Sequence, residues 1–197
     1  AKVCFENPAA RNALGGLPTV ASCALGEVCA HTLYADGVAA SSAVRGASVD
    51  DALERVVEAN TLLSGLGFES GGLAAAHSVA QGYTNVPSVE SRYLHGEMVA
   101  MGVLAQLAML EDEAEARRAG EFFVAIGLPV CLDQVGLTRD SAELDALVEG
   151  ALGFAFIHNM PGAVDAERVR SAVLHADRLG EELRSAGGDT AYRRLQS

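Results

Sequence analysis

The chain has 197 residues, half of them apolar and a fifth charged, with a net charge of −12. That length and balance suit one packed domain, or at a stretch two small ones, and argue against a disordered chain. The acidity argues against nucleic acid, whose phosphates need clustered Lys and Arg, and against an anionic membrane surface; its plainest use is solubility. Cys4, Cys23, Cys29 and Cys131 form no C-x-x-C pair, so neither a zinc knuckle nor a redox dithiol is indicated. Cys23 and Cys29 lie in an apolar stretch and read as core thiols, which fits a reducing, cytoplasmic compartment. Residues 1–18 lack the basic start and long apolar run of a signal peptide. The longest apolar stretch, Met98 to Leu110, is interrupted by Gln106 and is too short to span a bilayer, so it reads as a buried helix.

The periodicity is helical nearly everywhere. Ala1 to Phe5 has neither an initiator Met nor a cap and reads as the middle of a helix, as in a fragment of something longer. Thr19 can cap a helix to about Asp36, with Gly37 as its stop. Ser48 and Asp51 resemble a capping box, behind which Leu53, Val56, Val57 and Leu63 form a helical stripe ending in Ser64-Gly65-Leu66-Gly67. The next helix is expected from Glu69 or Ser70 to Gln81, followed by a loop holding Pro87 and a helix from Leu94 to Leu110. The acidic run Glu111 to Glu115 opens a helix that Gly127 and Pro129 stop. Thr138 or Asp140 caps a helix to Leu152, and Asp165 caps the last long one, to about Ser185. Gly187 to Ser197 is polar and reads as a frayed tail. Alternating runs bounded by turn residues are missing, so the fold class is all-α, with about seven or eight helices.

Two segments stand out, Gly67 to His77 and Tyr93-Leu94-His95-Gly96-Glu97. The small residues ahead of His77 leave room beside it, for a ligand or for tight helix packing. His95 opens the next helix, and two histidines on neighbouring helices can face one space; neutral imidazole is a common ligand for Zn²⁺ and Fe²⁺. Catalytic metal sites usually take three protein ligands, so two are one short. Glu97 can orient a ligand through a hydrogen bond or can be an exposed acid at a helix start. The glycines at 65 and 67 lack the Lys-Ser/Thr of a phosphate loop and read as a turn between helices. His31 and His175 read as histidines without function, and Glu111 to Arg118 as a solvated face.

The stretch from Ala59 to His77, then His95-Gly96-Glu97-Met98-Val99-Ala100, then Ile157-His158-Asn159-Met160-Pro161-Gly162, resembles bacterial glycerol dehydrogenases of the iron-containing (group III) alcohol dehydrogenase superfamily. Weaker similarity covers Ala1 to about Gly180. The resemblance implies the dehydroquinate-synthase-like, C-terminal helical domain of that superfamily, here residues 1–186, with 187–197 as the tail. It implies a complete enzyme in which an N-terminal α/β domain binds NAD, the helical domain binds one divalent metal, usually zinc, and a small polyol sits between them. The metal is held there by one Asp and two His. His77 and His95 match the two histidines, Phe68 matches a residue lining the substrate pocket, and His158 falls in a motif facing the cleft, where a structural role is equally open. The matching Asp would lie upstream of Ala1, and the cofactor-binding Gly-rich turn is absent. The family often has a further, non-ligand His where this chain has Ala80.

The implied activity is NAD-linked oxidation of glycerol to dihydroxyacetone, with the metal polarising the substrate hydroxyl and the nicotinamide accepting hydride. Assembly into a homo-oligomer is expected from the same resemblance. The alternative is a non-catalytic remnant or separated domain acting as an oligomerisation or interaction module. A bare metal-binding protein would need a third ligand that the residues near His77 and His95 do not nominate.

Overall fold

Side-chain caps set where many of the helices begin. Thr19, Asp50, Asp112 and Asp165 each accept a hydrogen bond from the backbone N–H three residues on, at 2.8–3.2 Å. The computed structural model describes residues 2–196, and among these it is all-helical, without a strand. Its helices are α1 (Lys2–Glu6), α2 (Val20–Arg45), α3 (Asp51–Glu58), α4 (Ser64–Gly71), α5 (Ala75–Thr84), α6 (Pro87–Glu90), α7 (His95–Met109), α8 (Glu113–Ile126), α9 (Ala142–Gly153), α10 (Ala166–Gly187) and α11 (Thr190–Gln196). A π turn, Ala59–Leu63, joins α3 to α4, and 3₁₀ turns cover Leu132–Val135 and Ala155–Asn159. None of these helices is long and apolar enough to cross a membrane.

The chain divides into two compact units. The first holds Ala1–Leu73 with Asn159–Pro161. In it α2 packs against α3, the π turn and α4. At Gly67, α4 lies against Gly26 of α2, with room for an ordinary contact: a Cβ there would stand 3.6 Å from Gly26 N. The Cys29 thiol reaches Ala59 O at the start of the π turn, at 3.5 Å. Asn159 is buried and fully engaged. Its amide donates to Arg11 O (2.9 Å) and Leu73 O (2.7 Å), and its oxygen accepts from Arg11 N–H (3.0 Å).

The second unit holds Ala74–His158 and Gly162–Ser197. Here α5 lies between α7 and α9, and α10 packs on α7, α8 and α9. Missing side chains make these crossings possible. A Cβ on Gly82 would stand 2.2 Å from Leu147 O, and one on Gly102 would stand 2.0 Å from Ala76 O. Large apolar side chains fill the remaining space, among them Leu104, Leu144, Leu147 and Val169.

Several boundaries differ from the sequence reading. Helix α2 runs through Gly37 to Arg45 and ends at Gly46, because a glycine inside a helix weakens it without stopping it. Asp50, not Ser48, caps α3. Gly65 and Gly67 lie inside α4 rather than in a turn; the break falls at Gly72, whose φ of +81° suits a residue without a Cβ. Pro87 starts the short α6, where its missing N–H costs nothing. Ser141 stands at the N-cap of α9. The stretch expected to fray contains α11, which Tyr192 and Asp189 hold through Gln134 and Arg184.

Candidate metal centre

Helix α5 begins without a capping side chain of its own, because Ala74 occupies the N-cap. One of its free N–H groups, that of Ala76, is taken by Gln106 Oε1 of α7 at 2.9 Å. His77 follows immediately and is half-buried among small neighbours. Helix α7 starts from extended backbone at Leu94, whose N–H donates to Glu97 Oε2 at 2.8 Å. The other oxygen of Glu97 accepts from the Gln196 amide at 2.7 Å. Glu97 is therefore a buried acid that closes the first turn of α7, and His95, the first residue of that helix, is exposed.

These two helix starts bring His77 and His95 together. Their ring centres lie 5.7 Å apart with planes tilted by 47°. Burial, reinforced by the neighbouring His95, pushes the His77 imidazole below its usual pKa, which favours the neutral form that binds metals. With metal–nitrogen bonds of about 2.1 Å, two imidazoles on one tetrahedral ion have ring centres roughly 5 to 5.5 Å apart. The observed 5.7 Å is slightly wider than that spacing. Among the described residues, no group of three or more His, Cys, Asp or Glu side chains could hold a metal ion, and two histidines alone are one short of the three protein ligands usual at a catalytic metal.

The other expected residues lie as follows. Phe68 stands on α4 in the first unit, 46% exposed. His158 is exposed in the 3₁₀ turn Ala155–Asn159 of the second unit, near Phe154 and Phe156, which meet edge to face. His31 is exposed on α2, and His175 is an exposed partner of Glu113. A recess of about 410 Å³ between the end of α7 and the start of α10 is lined by Met109, Glu111, Asp165, Arg168 and His175, and contains neither His77 nor His95. Sequence reasoning passed over Gln106 and Asn159. The first had left a trace, as the one polar side chain in the stretch from Met98 to Leu110; the second stood beside His158 in a quoted motif.

No protein-family model matches the chain. Curated proteins do. It is 46% identical over 170 residues to a glycerol dehydrogenase of Pseudomonas putida, covering 85% of this chain and 46% of that protein. It is 42% identical over 185 residues to a glycerol dehydrogenase of Citrobacter freundii, covering 92% and 50%. It is also 45% identical over 177 residues to a glycolaldehyde reductase of Halobacterium salinarum, covering 88% and 48%. The chain thus spans about half the length of the curated relatives it matches. Among solved structures, the glycerol dehydrogenase of Schizosaccharomyces pombe superposes with a TM-score of 0.79 at 31% identity, covering 93% of this chain and 47% of that one. A probable glycerol dehydrogenase from Sinorhizobium meliloti 1021 gives 0.82 at 36% identity, covering 87% and 49%. Sequence and fold agree, and over the half-length it spans the chain belongs to the glycerol dehydrogenase family.

Proposed function

We propose that this chain is the helical, metal-binding domain, over residues 1–186, of an NAD-dependent glycerol dehydrogenase that oxidises glycerol to dihydroxyacetone. The observation that carries the reading is the pairing of His77 and His95 at 5.7 Å. These two imidazoles hold a divalent cation, zinc by preference of nitrogen ligands and family resemblance. A cation bound there supplies Lewis acidity to a hydroxyl of the substrate. The chain's own part is to present neutral His77 beside His95, with Glu97 closing the turn that carries His95, and to line the polyol pocket with Phe68. His158 is assigned a supporting position at the cleft. An N-terminal NAD-binding domain is the expected partner, and the nicotinamide is the expected acceptor of hydride.

The test joins metal content to activity. About one zinc per chain, retained in the wild type and lost in His77→Ala, is the expected result, together with NAD-linked glycerol oxidation by the complete protein. Unchanged zinc content in His77→Ala would show that the ligand assignment is wrong.

A second reading has its own support. Val20, Val44, Leu17 and Phe68 of the first unit are between 46% and 73% exposed, which is much apolar surface for a monomer. That favours a chain whose role is assembly, with itself or another domain. Light scattering at micromolar concentration would reject it by showing a persistent monomer.

A further inference from the structure

His95, Gly102 and Gln106 follow one another in α7 at intervals of seven and four residues. At 100° per residue, Gly102 and Gln106 fall within about 20° of the line that runs along the helix from His95. All three therefore share one face. Gly102 meets the chain at Ala76: any Cβ there would stand 2.0 Å from Ala76 O. Gln106 meets the same residue through the preceding peptide, accepting from Ala76 N–H at 2.9 Å. Ala76 is thus gripped at both its carbonyl and its N–H, and the next residue is His77. The helix that carries one histidine fixes the backbone immediately ahead of the other.

We propose that Gln106 is a positioning residue for His77, setting the place of its imidazole relative to His95 through the bond to Ala76 N–H. The inference rests on the reading of the two histidines as metal ligands. Gln106 need not touch a cation to act. Without its carbonyl, the N–H of Ala76 has no capping partner at the start of α5, and that first turn can shift while the rest of α5 stays packed between α7 and α9. A displaced support of this kind typically weakens metal binding by about 10- to 100-fold.

The test compares Gln106→Met, which removes the acceptor at similar volume, with Gln106→Glu, which keeps it, in the full chain. The first readout needs no metal: NMR contacts between the His77 and His95 rings. The second is Zn²⁺ affinity, followed on the same imidazole signals. Thermal melts and Asp165→Ala, which removes the cap of α10, report general loss of stability. The expected result is that Gln106→Met loses the ring contacts and at least about tenfold in Zn²⁺ affinity, while Gln106→Glu and Asp165→Ala keep both. Ring contacts and affinity at wild-type level in Gln106→Met would overturn the inference. So would equal losses in Gln106→Met and Gln106→Glu, or an equal loss in Asp165→Ala at the same drop in melting temperature. If the wild type binds no Zn²⁺, or binds it unchanged in His77→Ala, the metal reading itself falls and takes the inference with it. If His77→Ala abolishes binding and Gln106→Met does not, the positioning role alone fails.

Discussion

The two units of this chain are held together by different means. The second contains almost all of the largest fully buried side chains, including Tyr83, Leu104, Leu132, Leu144 and Leu147; the first contributes Met160. Otherwise the buried apolar residues of the first unit are small: Cys4, Ala10, Cys29, Ala40, Ala43 and Ala59. Exposure shows the reverse pattern. Apart from Leu94 and Leu195, every exposed large apolar side chain among the described residues belongs to the first unit. Burying a Leu or Val contributes about 1.5–3 kcal/mol, so the second unit rests on side-chain burial. The first, whose buried apolar residues are mostly small, depends more on hydrogen bonds such as those of Asn159. The histidine pair sits in the better-packed unit, where its backbone has the least freedom, as a site of fixed geometry requires.

The largest test of this contrast removes one polar anchor from each unit. Asp177 of α10 is 2% exposed, accepts from Leu132 N–H at 2.8 Å and pairs with Arg139. Asp177→Ala strands the buried Leu132 N–H and leaves Arg139 with Glu181 alone, and is expected to cost about 2–3 kcal/mol. Asn159→Ala strands the backbone N–H and C=O of Arg11 and leaves Leu73 O with the Cys4 thiol alone, at about 2 kcal/mol. Hydrogen exchange followed by mass spectrometry should place the first loss in residues 74–158 and 162–196 and the second in residues 2–73. Loss spread evenly over both regions in either variant would mean that the two units open as one.

A smaller effect is expected from the buried thiols. Cys4 and Cys29 of the first unit and Cys131 of the second are buried, and burial pushes all three thiols up from their ordinary pKa. Each reacts with a maleimide only when its surroundings open. If the first unit opens at lower free energy, by about 1.5–2.5 kcal/mol, Cys4 and Cys29 should label on the order of tenfold to a hundredfold faster than Cys131. Half-exposed Cys23 should precede them all. Equal rates for the three buried thiols would remove the energetic distinction between the units.

What the sequence made legible follows the same division. Where a local signal and the packing agreed, as at Asp165 before α10 and Gly127 after α8, the boundary was readable. The two histidines and their motifs were readable as well, because a chemical identity needs no knowledge of the fold. The breaks in the first unit were not. Gly37, Gly65 and Gly67 all carry a stop signal, yet the stop between α4 and α5 is at Gly72, beside Arg11 and beneath the amide of Asn159. Contacts made across such long sequence separations leave no local mark. Gln106 was visible as an interruption in an apolar run, but that it serves α5 became visible with α5 in place.

The smallest test exploits one motif present in both units. After α8, Gly127 at φ +90° is followed by Leu128, whose N–H returns to Phe123 O, while Gly127 N–H reaches Val124 O. After α2 the same pair of bonds runs from Ser48 to Ala43 O and from Ala47 to Val44 O, but the left-handed residue, at φ +49°, is Ala47. This is the Schellman ending, in which that position favours glycine. The glycine next to it, Gly46, has φ −81° and gains nothing from lacking a Cβ. Ala47 is exposed, so no packing is lost by shortening it. Relief of the left-handed strain, offset by the freedom glycine gains when unfolded, leaves Ala47→Gly stabilising by about 0.5–1 kcal/mol. Gly127→Ala should go the other way and further, since its Cβ would also stand 2.6 Å from Ala191 O. Chemical denaturation of the two variants checks both signs. A destabilised Ala47→Gly would mean that the end of α2 is held by something other than its own backbone, and the first unit would then be less dependent on local hydrogen bonds than its small core suggests.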